Sequence, residues 1–368
     1  MARSTARHVW QLLPDLDFGG VETATEITAG LQDRGWNLTF VATRSGGRAA
    51  EKLKALGCRV LQGSYSSIPF DGALLFWLRR LTRKESPSLI HARCAEANFH
   101  GLLSGMLGNN VPCLVEEVGL ATTRSRLAHR IFARLYRRAA AVLYLSQEMQ
   151  RGFRKEGYTG KHQEVLPYPI RPEFLPPPPQ KPRNVKTFRI LSVGRLVWEK
   201  AFVDLLQAAA RLRDQGHNFK INLCGEGPEK KKLSEKIREL SLGGKVRLCG
   251  FVPGQPEWYA EHDLFVLPSV QEGLGLVVAE ALASGVPVVA TRTGGVPEIL
   301  GEASKFGTLV SPSDPKSLAQ AMVSWLKLPA TVRQKRGAMG RTEILRKFSP
   351  GRYLDRLEKL YLRLIAKP

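Results

Sequence analysis

A run of four prolines, Pro176 to Pro179, with strand–helix alternation on both sides of it, sets the strongest limit on what this chain can fold into. Proline has no N–H and a fixed φ, so the run continues neither a helix nor a central strand and forms a stiff, extended connector. The spacing predicts a first domain over residues 1–174, a connector over 175–183 and a second domain over 184–349. Before the connector, β-rich runs at His8–Leu13, Leu38–Ala42, Leu89–His91, Cys113–Glu116 and Val142–Leu145 read as strands. Longer stretches of helical period, such as Val21–Arg34 and Ala95–Leu107, lie between them. Beyond the connector come strands at Arg189–Val193, Lys220–Cys224, Val246–Leu248, Leu264–Leu267 and Val288–Ala290. The helices there are Ala201–Asp214, Glu229–Leu240 and Leu276–Ser284, and from Asp314 the pattern is helical to the end. Such alternation implies an α/β class with parallel sheets covered on both faces and ligands at the C-terminal ends of the strands.

The charge is lopsided. The 368 residues carry 55 Lys and Arg against 33 Asp and Glu, an excess shared by both sides of the proline run rather than gathered in a tail. An anionic partner is implied: nucleic acid, an acidic membrane face or a phosphorylated substrate. Five cysteines form no Cys-x-x-Cys pair, so neither a disulfide framework nor a zinc site is indicated, and a reducing cytoplasm fits. The apolar patch near the N-terminus is broken by Pro14, Asp15 and Asp17, and reads as a strand and its loop rather than a secretory leader. No apolar run approaches the roughly 20 residues that cross a bilayer.

The segment from Leu267 to Ala290 carries the most chemistry. A strand ends, a turn containing Gly273, Leu274 and Gly275 follows, and a helix opens near Leu276. Glycines let the backbone approach a ligand, and a helix start offers free N–H groups to an anion such as a diphosphate. Glu272 precedes the turn and Glu280 lies inside an otherwise apolar helix, where a charge needs a partner. Ribose or sugar hydroxyls would serve; the alternative is a solvent-facing Glu280 and a helix-capping Glu272. A second segment, Ile190 to Lys200, runs from a strand through Gly194 to Arg195 and Lys200. Two cations near a turn can clamp a diphosphate and stabilise a departing nucleotide, or they are simply surface charges. Near the start, Gly19 and Gly20 sit between the first strand and a helix, as a plain connector or a ligand loop.

Together these segments resemble the Glu-x7-Glu signature, the Gly-Arg-Leu-x-x-x-Lys-Gly motif and the Gly-Gly-x-Glu loop of the family-4 retaining glycosyltransferases. That resemblance implies the GT-B fold, two Rossmann-like domains facing across a cleft, with an N-terminal acceptor domain and a C-terminal donor domain. In that fold the last helix, here 350–368, packs back on the first domain. The resemblance also implies roles: Glu272 on the donor sugar, Glu280 on the ribose, Arg195 and Lys200 on the pyrophosphate, and the backbone at Gly19 and Gly20 reaching toward phosphate and acceptor. Cys224 to Pro228 resembles a Gly-x-Gly-Pro loop, and Gly250 to Pro253 a loop near the base, where Phe251 and Val252 would flank it; Phe251 as a core residue is the alternative. There are two departures. Ala201 stands where the family usually has glycine, and Val118 where many relatives have a histidine.

In the first domain, His91 and Arg93 resemble a cleft-facing element, His91 with a catalytic role or as a buried structural histidine. Glu116 and Glu117 are candidates for acceptor hydroxyls. Arg124, Arg126, Arg130, Arg134, Arg137 and Arg138 lie in a stretch without acids in which Leu127, Ile131 and Leu135 recur on one helical face. Such a helix lies on an anionic membrane, or turns its apolar face to the core. The expectation is a metal-independent, retaining glycosyltransferase without cofactor, using a UDP- or GDP-linked sugar and a glycan or lipid-linked acceptor. It is expected to be cytoplasmic, peripheral on the inner face of the membrane, and engaged in lipopolysaccharide or surface polysaccharide assembly. Alternatives are another GT-B enzyme, an epimerase or phosphorylase, or a nucleic-acid-binding protein. No nucleic-acid-reading motif is present.

Overall fold

The computed structural model of the protein describes residues 7–16, 20–65, 70–121, 124–160, 162–178, 187–252, 254–301 and 305–366. The chain divides into two compact units, Met1–Pro169 with Pro350–Pro368, and Ile170–Ser349.

In the first unit the strands are β1 (His8–Leu16), β2 (Asn37–Gly46), β3 (Arg59–Gln62), β4 (Leu89–Arg93), β5 (Cys113–Glu117), β6 (Ala141–Tyr144) and β7 (Gln163–Val165). They form a seven-stranded parallel sheet in the order β3-β2-β1-β4-β5-β6-β7. The helices between them are α1 (Gly20–Thr28), α2 (Arg48–Ala55), α3 (Gly72–Glu85), α4 (Ala95–Leu107), α5 (Arg126–Tyr136) and α6 (Gln147–Lys155). β4, β5 and β6 are buried at every residue, as expected for strands covered on both faces. The strand order reverses between β1 and β4, the kind of position where doubly wound sheets bind ligands.

The chain returns to this unit at its end. Helix α14 (Pro350–Ile365), numbered by its place in the chain, buries Tyr353, Leu357, Leu360, Tyr361 and Leu364. Each such side chain contributes about 1.5–3 kcal/mol on leaving water. Gln11 donates from Nε2 to the Tyr361 hydroxyl at 2.9 Å, and Trp36 donates from Nε1 to Glu358 at 2.9 Å.

The second unit contains β8 (Phe188–Val193), α7 (Phe202–Asp214), β9 (Phe219–Cys224), α8 (Lys230–Glu239), β10 (Val246–Gly250), α9 (Pro256–Ala260), β11 (Leu264–Leu267), α10 (Leu276–Ala283), β12 (Val288–Thr291), α11 (Val296–Leu300) and β13 (Gly307–Val310). Helices α12 (Pro315–Lys327) and α13 (Ala330–Phe348) close it. Its six-stranded parallel sheet runs β10-β9-β8-β11-β12-β13. Phe188, Ile190, Leu205, Leu206, Phe219 and Trp325 share one core beneath α7 and α12. The unit starts at Ile170, ahead of the position that the proline run suggests. Phe174 is buried with its ring edge-on to Tyr259 at 5.6 Å, and Arg341 donates to the carbonyls of Phe174 and Leu175. Proline content marks where the chain leaves regular structure; Phe174 belongs to the core it fills. The end of the expected connector, 179–183, lies outside the described residues.

Candidate functional site

The C-terminal ends of β8 and β11, neighbours in the second sheet, bring together the two segments singled out in the sequence. After β8 the chain passes Gly194 and the exposed Arg195, dips inward at Leu196 and rises through a single 3₁₀ turn, Trp198–Lys200. After β11, the N–H groups of Val270 and Gln271 both bond the Glu199 carbonyl, at 2.8 and 3.3 Å. This backbone tie sets Lys200 beside Glu272, and the Lys200 ammonium donates to the Glu272 carboxylate. Ser269 donates to the same oxygen at 2.8 Å. Glu272 is buried. Thr293 and Gly295 brace the loop from the far side, bonding the carbonyls of Val270 and Gly273 at 3.1 and 3.0 Å.

Gly275 is the residue before α10 and has φ +83°, where a side chain would also press to 2.8 Å from Val296. Only glycine fits there. Leu274 is buried, so any ligand contact from this stretch is through the backbone. Leu276 begins α10 and is half-buried.

Glu280 is also buried, and its sequence-level puzzle of a charge inside an apolar helix has an answer. Oε1 accepts from Arg171 Nε at 3.0 Å and Oε2 accepts from the Tyr259 hydroxyl at 2.8 Å. Burial pushes its carboxyl above the usual range, and Arg171 and Tyr259 pull in the opposite direction. Neither partner was singled out in the sequence: Arg171 is 109 positions away and carries no motif. Phe251, at the end of β10, is 49% exposed and therefore not a core residue; Val252 is half-buried. Gly20 opens α1, while Gly19 lies outside the described residues.

The first-unit candidates require correction. His91, Arg93, Glu116 and Glu117 are buried in the unit's interior and offer no surface to an acceptor. His91 and Arg93 sit two apart on β4 and share a sheet face, which Tyr353 and Tyr361 of α14 cover. Gln11 donates to Tyr361 Oη; His91 Nδ1 lies 2.6 Å from that oxygen and His91 Nε2 lies 2.7 Å from Glu116. Arg93 donates to Glu116 at 3.0 Å and to Gln11 Oε1 at 2.6 Å. Burial, with the Arg93 charge beside it, holds His91 down to about 4. Burial opposes the Glu116 charge, yet Arg93 and His91 outweigh it and bring that carboxyl below its usual range. Neutral His91 between a tyrosine and a carboxylate is a packing element, not an acid or base facing substrate.

Arg124 is likewise not membrane-facing. It donates to both Glu117 oxygens at 2.8 Å, and its guanidinium lies 4.4 Å from the centre of the Phe132 ring. Arg126, Arg130, Arg134, Arg137 and Arg138 are exposed. So are Leu127 and Ile131, at 68% and 46%, because α5 turns His129 and Tyr136 inward instead. Leu127 and Ile131 of the apolar stripe read from the sequence thus face outward, while Leu135 is half-buried.

Among the described residues no cluster of three or more His, Cys, Asp or Glu is placed to hold a metal ion. The chain has an Asp-x-Asp spacing at Asp15 and Asp17; Asp15 pairs with Arg44 at 2.9 Å and Ser45 at 2.7 Å, and Asp17 lies outside the described residues. Among the described residues no helix is long and apolar enough to cross a membrane.

Residues 178–343 match the family model "Glycosyl transferases group 1", and residues 18–169 match the "Glycosyl transferase 4-like domain". The chain belongs to the group 1 glycosyltransferases. It is 39% identical over 129 residues to the sulfoquinovosyl transferase SQD2 of Arabidopsis thaliana, covering 34% of this chain and 24% of that one. It is 30% identical over 177 residues to the lipopolysaccharide core biosynthesis glycosyltransferase LpsE of Rhizobium meliloti, covering 48% and 49% of the two chains. The chain spans about two fifths or less of the length of the first curated relatives it matches. The crystal structure of Anabaena Alr3699/HepE in complex with UDP and glucose superposes with a TM-score of 0.82 at 19% identity, covering 96% of this chain and 99% of that one. The fold is GT-B.

Proposed function

We propose that this group 1 glycosyltransferase moves a sugar from a nucleoside diphosphate sugar, UDP- or GDP-linked, to a glycan or lipid-linked acceptor with retention of configuration. The observation that carries this reading is the Lys200–Glu272 pair at the C-terminal ends of β8 and β11, beside the start of α10. In the transfer, the bond from the sugar's anomeric carbon to the diphosphate breaks and the diphosphate takes the electron pair. Lys200, Arg195 and the N–H groups at the start of α10 stabilise that charge, in the role a metal ion fills elsewhere. Lys200 has three N–H bonds and can serve both Glu272 and a phosphate oxygen. Glu272 orients the sugar hydroxyls, Glu280 the ribose, and Phe251 with Val252 flanks the base. The acceptor hydroxyl forms the new glycosidic bond and passes its proton to the departing diphosphate oxygen, which holds the released electron pair. The nucleotide bound by HepE supports the donor class, and LpsE supports assembly of lipopolysaccharide or another surface polysaccharide.

The outward face of α5 supports a place on the inner surface of the cytoplasmic membrane. Exposed leucine and isoleucine among five exposed arginines suit an interfacial helix on anionic lipid.

Thermal stability with UDP, GDP, ADP and CMP, each with and without EDTA, tests the donor site. A rise with one nucleoside diphosphate that survives EDTA and is lost in Glu280→Gln is expected. No rise with any nucleotide, beside a large rise with oligonucleotides, would replace this reading by nucleic-acid binding.

A further inference from the structure

Arg171 stands outside every motif, yet it contacts two parts of the proposed nucleoside site. Its Nε donates to Glu280 Oε1 at 3.0 Å, and a terminal nitrogen donates to the Gly254 carbonyl in the loop after β10. The guanidinium lies 4.9 Å from the centre of the Phe174 ring. A side chain at Gly254 would run into that guanidinium. The Arg171 side chain is 21% exposed, so this is a mostly buried, three-way clamp rather than a solvated surface pair.

Glu280 uses one acceptor site on each oxygen, Oε1 for Arg171 and Oε2 for Tyr259. A carboxylate oxygen has two lone pairs, so one on each remains. Two parallel acceptors match the two hydroxyls of a ribose. We infer that Arg171 is a positioning residue for the nucleoside: its guanidinium fixes the Glu280 carboxylate and the Gly254 loop relative to each other, so that the carboxylate presents its free lone pairs to a ribose diol beside the base-flanking loop. The inference rests on the proposed donor reading of Glu280.

The clamp has a chemical consequence. The groups facing Glu280 are Arg171 and Glu173 from the segment before β8 and Tyr259 from α9. On α13, Arg341 donates to the Ala283 carbonyl rather than to this carboxylate. Burial and Glu173 favour the protonated acid; Arg171 is the cation that opposes them. A protonated Glu280 loses acceptor capacity. Without Arg171 the carboxyl titrates higher, and nucleotide affinity falls as the pH drops through that higher value.

The test uses the full chain labelled with 13C at the glutamate carboxyl, with the Glu280 signal assigned by its absence in Glu280→Gln. In Arg171→Ala the Glu280 midpoint should rise by about one pH unit or more, and Arg171→Lys should restore part of the shift. Calorimetric titration with the nucleoside diphosphate that stabilises the wild type sets the wild-type affinity at pH 6 and at pH 8 as the reference for each variant, because the ligand's terminal phosphate takes up a proton at about pH 6. In Arg171→Ala the affinity should be lost about tenfold more at pH 6 than at pH 8, with Arg171→Lys between. An unchanged Glu280 midpoint in Arg171→Ala, or equal weakening at both pH values in both variants, overturns the inference while leaving the donor reading intact. A wild type that binds no nucleoside diphosphate overturns the donor reading, and this inference with it.

Discussion

Ala201 offers a test of the donor loop that needs no ligand. It links the Lys200 turn to α7 with φ 46° and ψ 39°, in the left-handed region. An L-residue pays roughly 1–2 kcal/mol there because its Cβ crowds the following carbonyl. The neighbours enforce the conformation: the Ala201 N–H bonds the Trp198 carbonyl at 3.0 Å, and its own carbonyl accepts from Asp204 at 2.9 Å. Ala201→Gly removes the Cβ cost, while the more flexible unfolded chain takes back about 0.5–1 kcal/mol. The net gain is about 0.5–1 kcal/mol. For a unit of this size about 2–4 °C of melting temperature follows each kcal/mol, so the variant should melt roughly 1–4 °C higher by calorimetry. Ala201→Val, with a branched side chain in the same region, should melt lower than wild type. A lower melting temperature for Ala201→Gly, or no loss for Ala201→Val, would refute a left-handed Ala201 and the loop geometry that sets Lys200 beside Glu272.

Other outcomes follow from the same contacts. Lys200→Ala, which removes a group that stabilises developing charge, and Glu272→Gln, which loosens a group that orients the sugar, should each lower turnover by about a hundredfold or more, with wild-type rates refuting the assignment. Arg124→Ala, which leaves Glu117 buried with hydrogen bonds but no cation, should cost about 3 kcal/mol or more in chemical denaturation. Arg130→Ala should stay within about 0.5 kcal/mol of wild type yet weaken sedimentation with anionic vesicles, with the deficit shrinking as salt rises and screens the lost charge. His91 should make the first unit acid-labile. Its folded value near 4 lies below the unfolded 6.5, so the unfolded chain takes up the extra proton between them and stability falls as pH drops through that window. The loss is on the order of 3 kcal/mol. Melting temperature measured from pH 7 to 4.5 should show a shallower slope in His91→Gln.

Much of the second unit was legible because β8 to β12 and α7, α8 and α10 each announce themselves within a short window. The residues Glu272, Gly275 and Lys200 stand beside strand ends, where a parallel sheet leaves its ligand edge, and the family resemblance assigned them to one donor site. Short edge strands escaped: β3, β7 and β13 are three or four residues long and lack a distinctive period. The misplaced residues share a cause. His91 and Arg93 end a strand, which suggests a ligand edge, but their sheet face is covered by tyrosines from α14; Tyr361 is 270 positions from His91. Likewise, nothing local to Arg171 points to Glu280, since the pair exists only because the segment before β8 folds onto α9 and α10. In α5 the helical period was right and the inward face was not, because ring contacts among Phe132, Tyr136 and Tyr158 and the Arg124–Glu117 pair decide which side packs.

The return of α14 makes the first unit discontinuous in sequence, with the whole of the second unit, Ile170–Ser349, inserted between its parts. The second unit is thus a cassette with two joints. Exchanging it between relatives requires cutting at both joints, and a graft that runs from residue 170 through α14 replaces a piece of the recipient's first core with that of the source. A protein shortened at Ser349 loses no separate tail: it gives up Leu357, Leu360 and Tyr361, and leaves Gln11 and His91 facing water in place of a hydroxyl. Selection on the first unit therefore acts on two distant stretches of the gene at once.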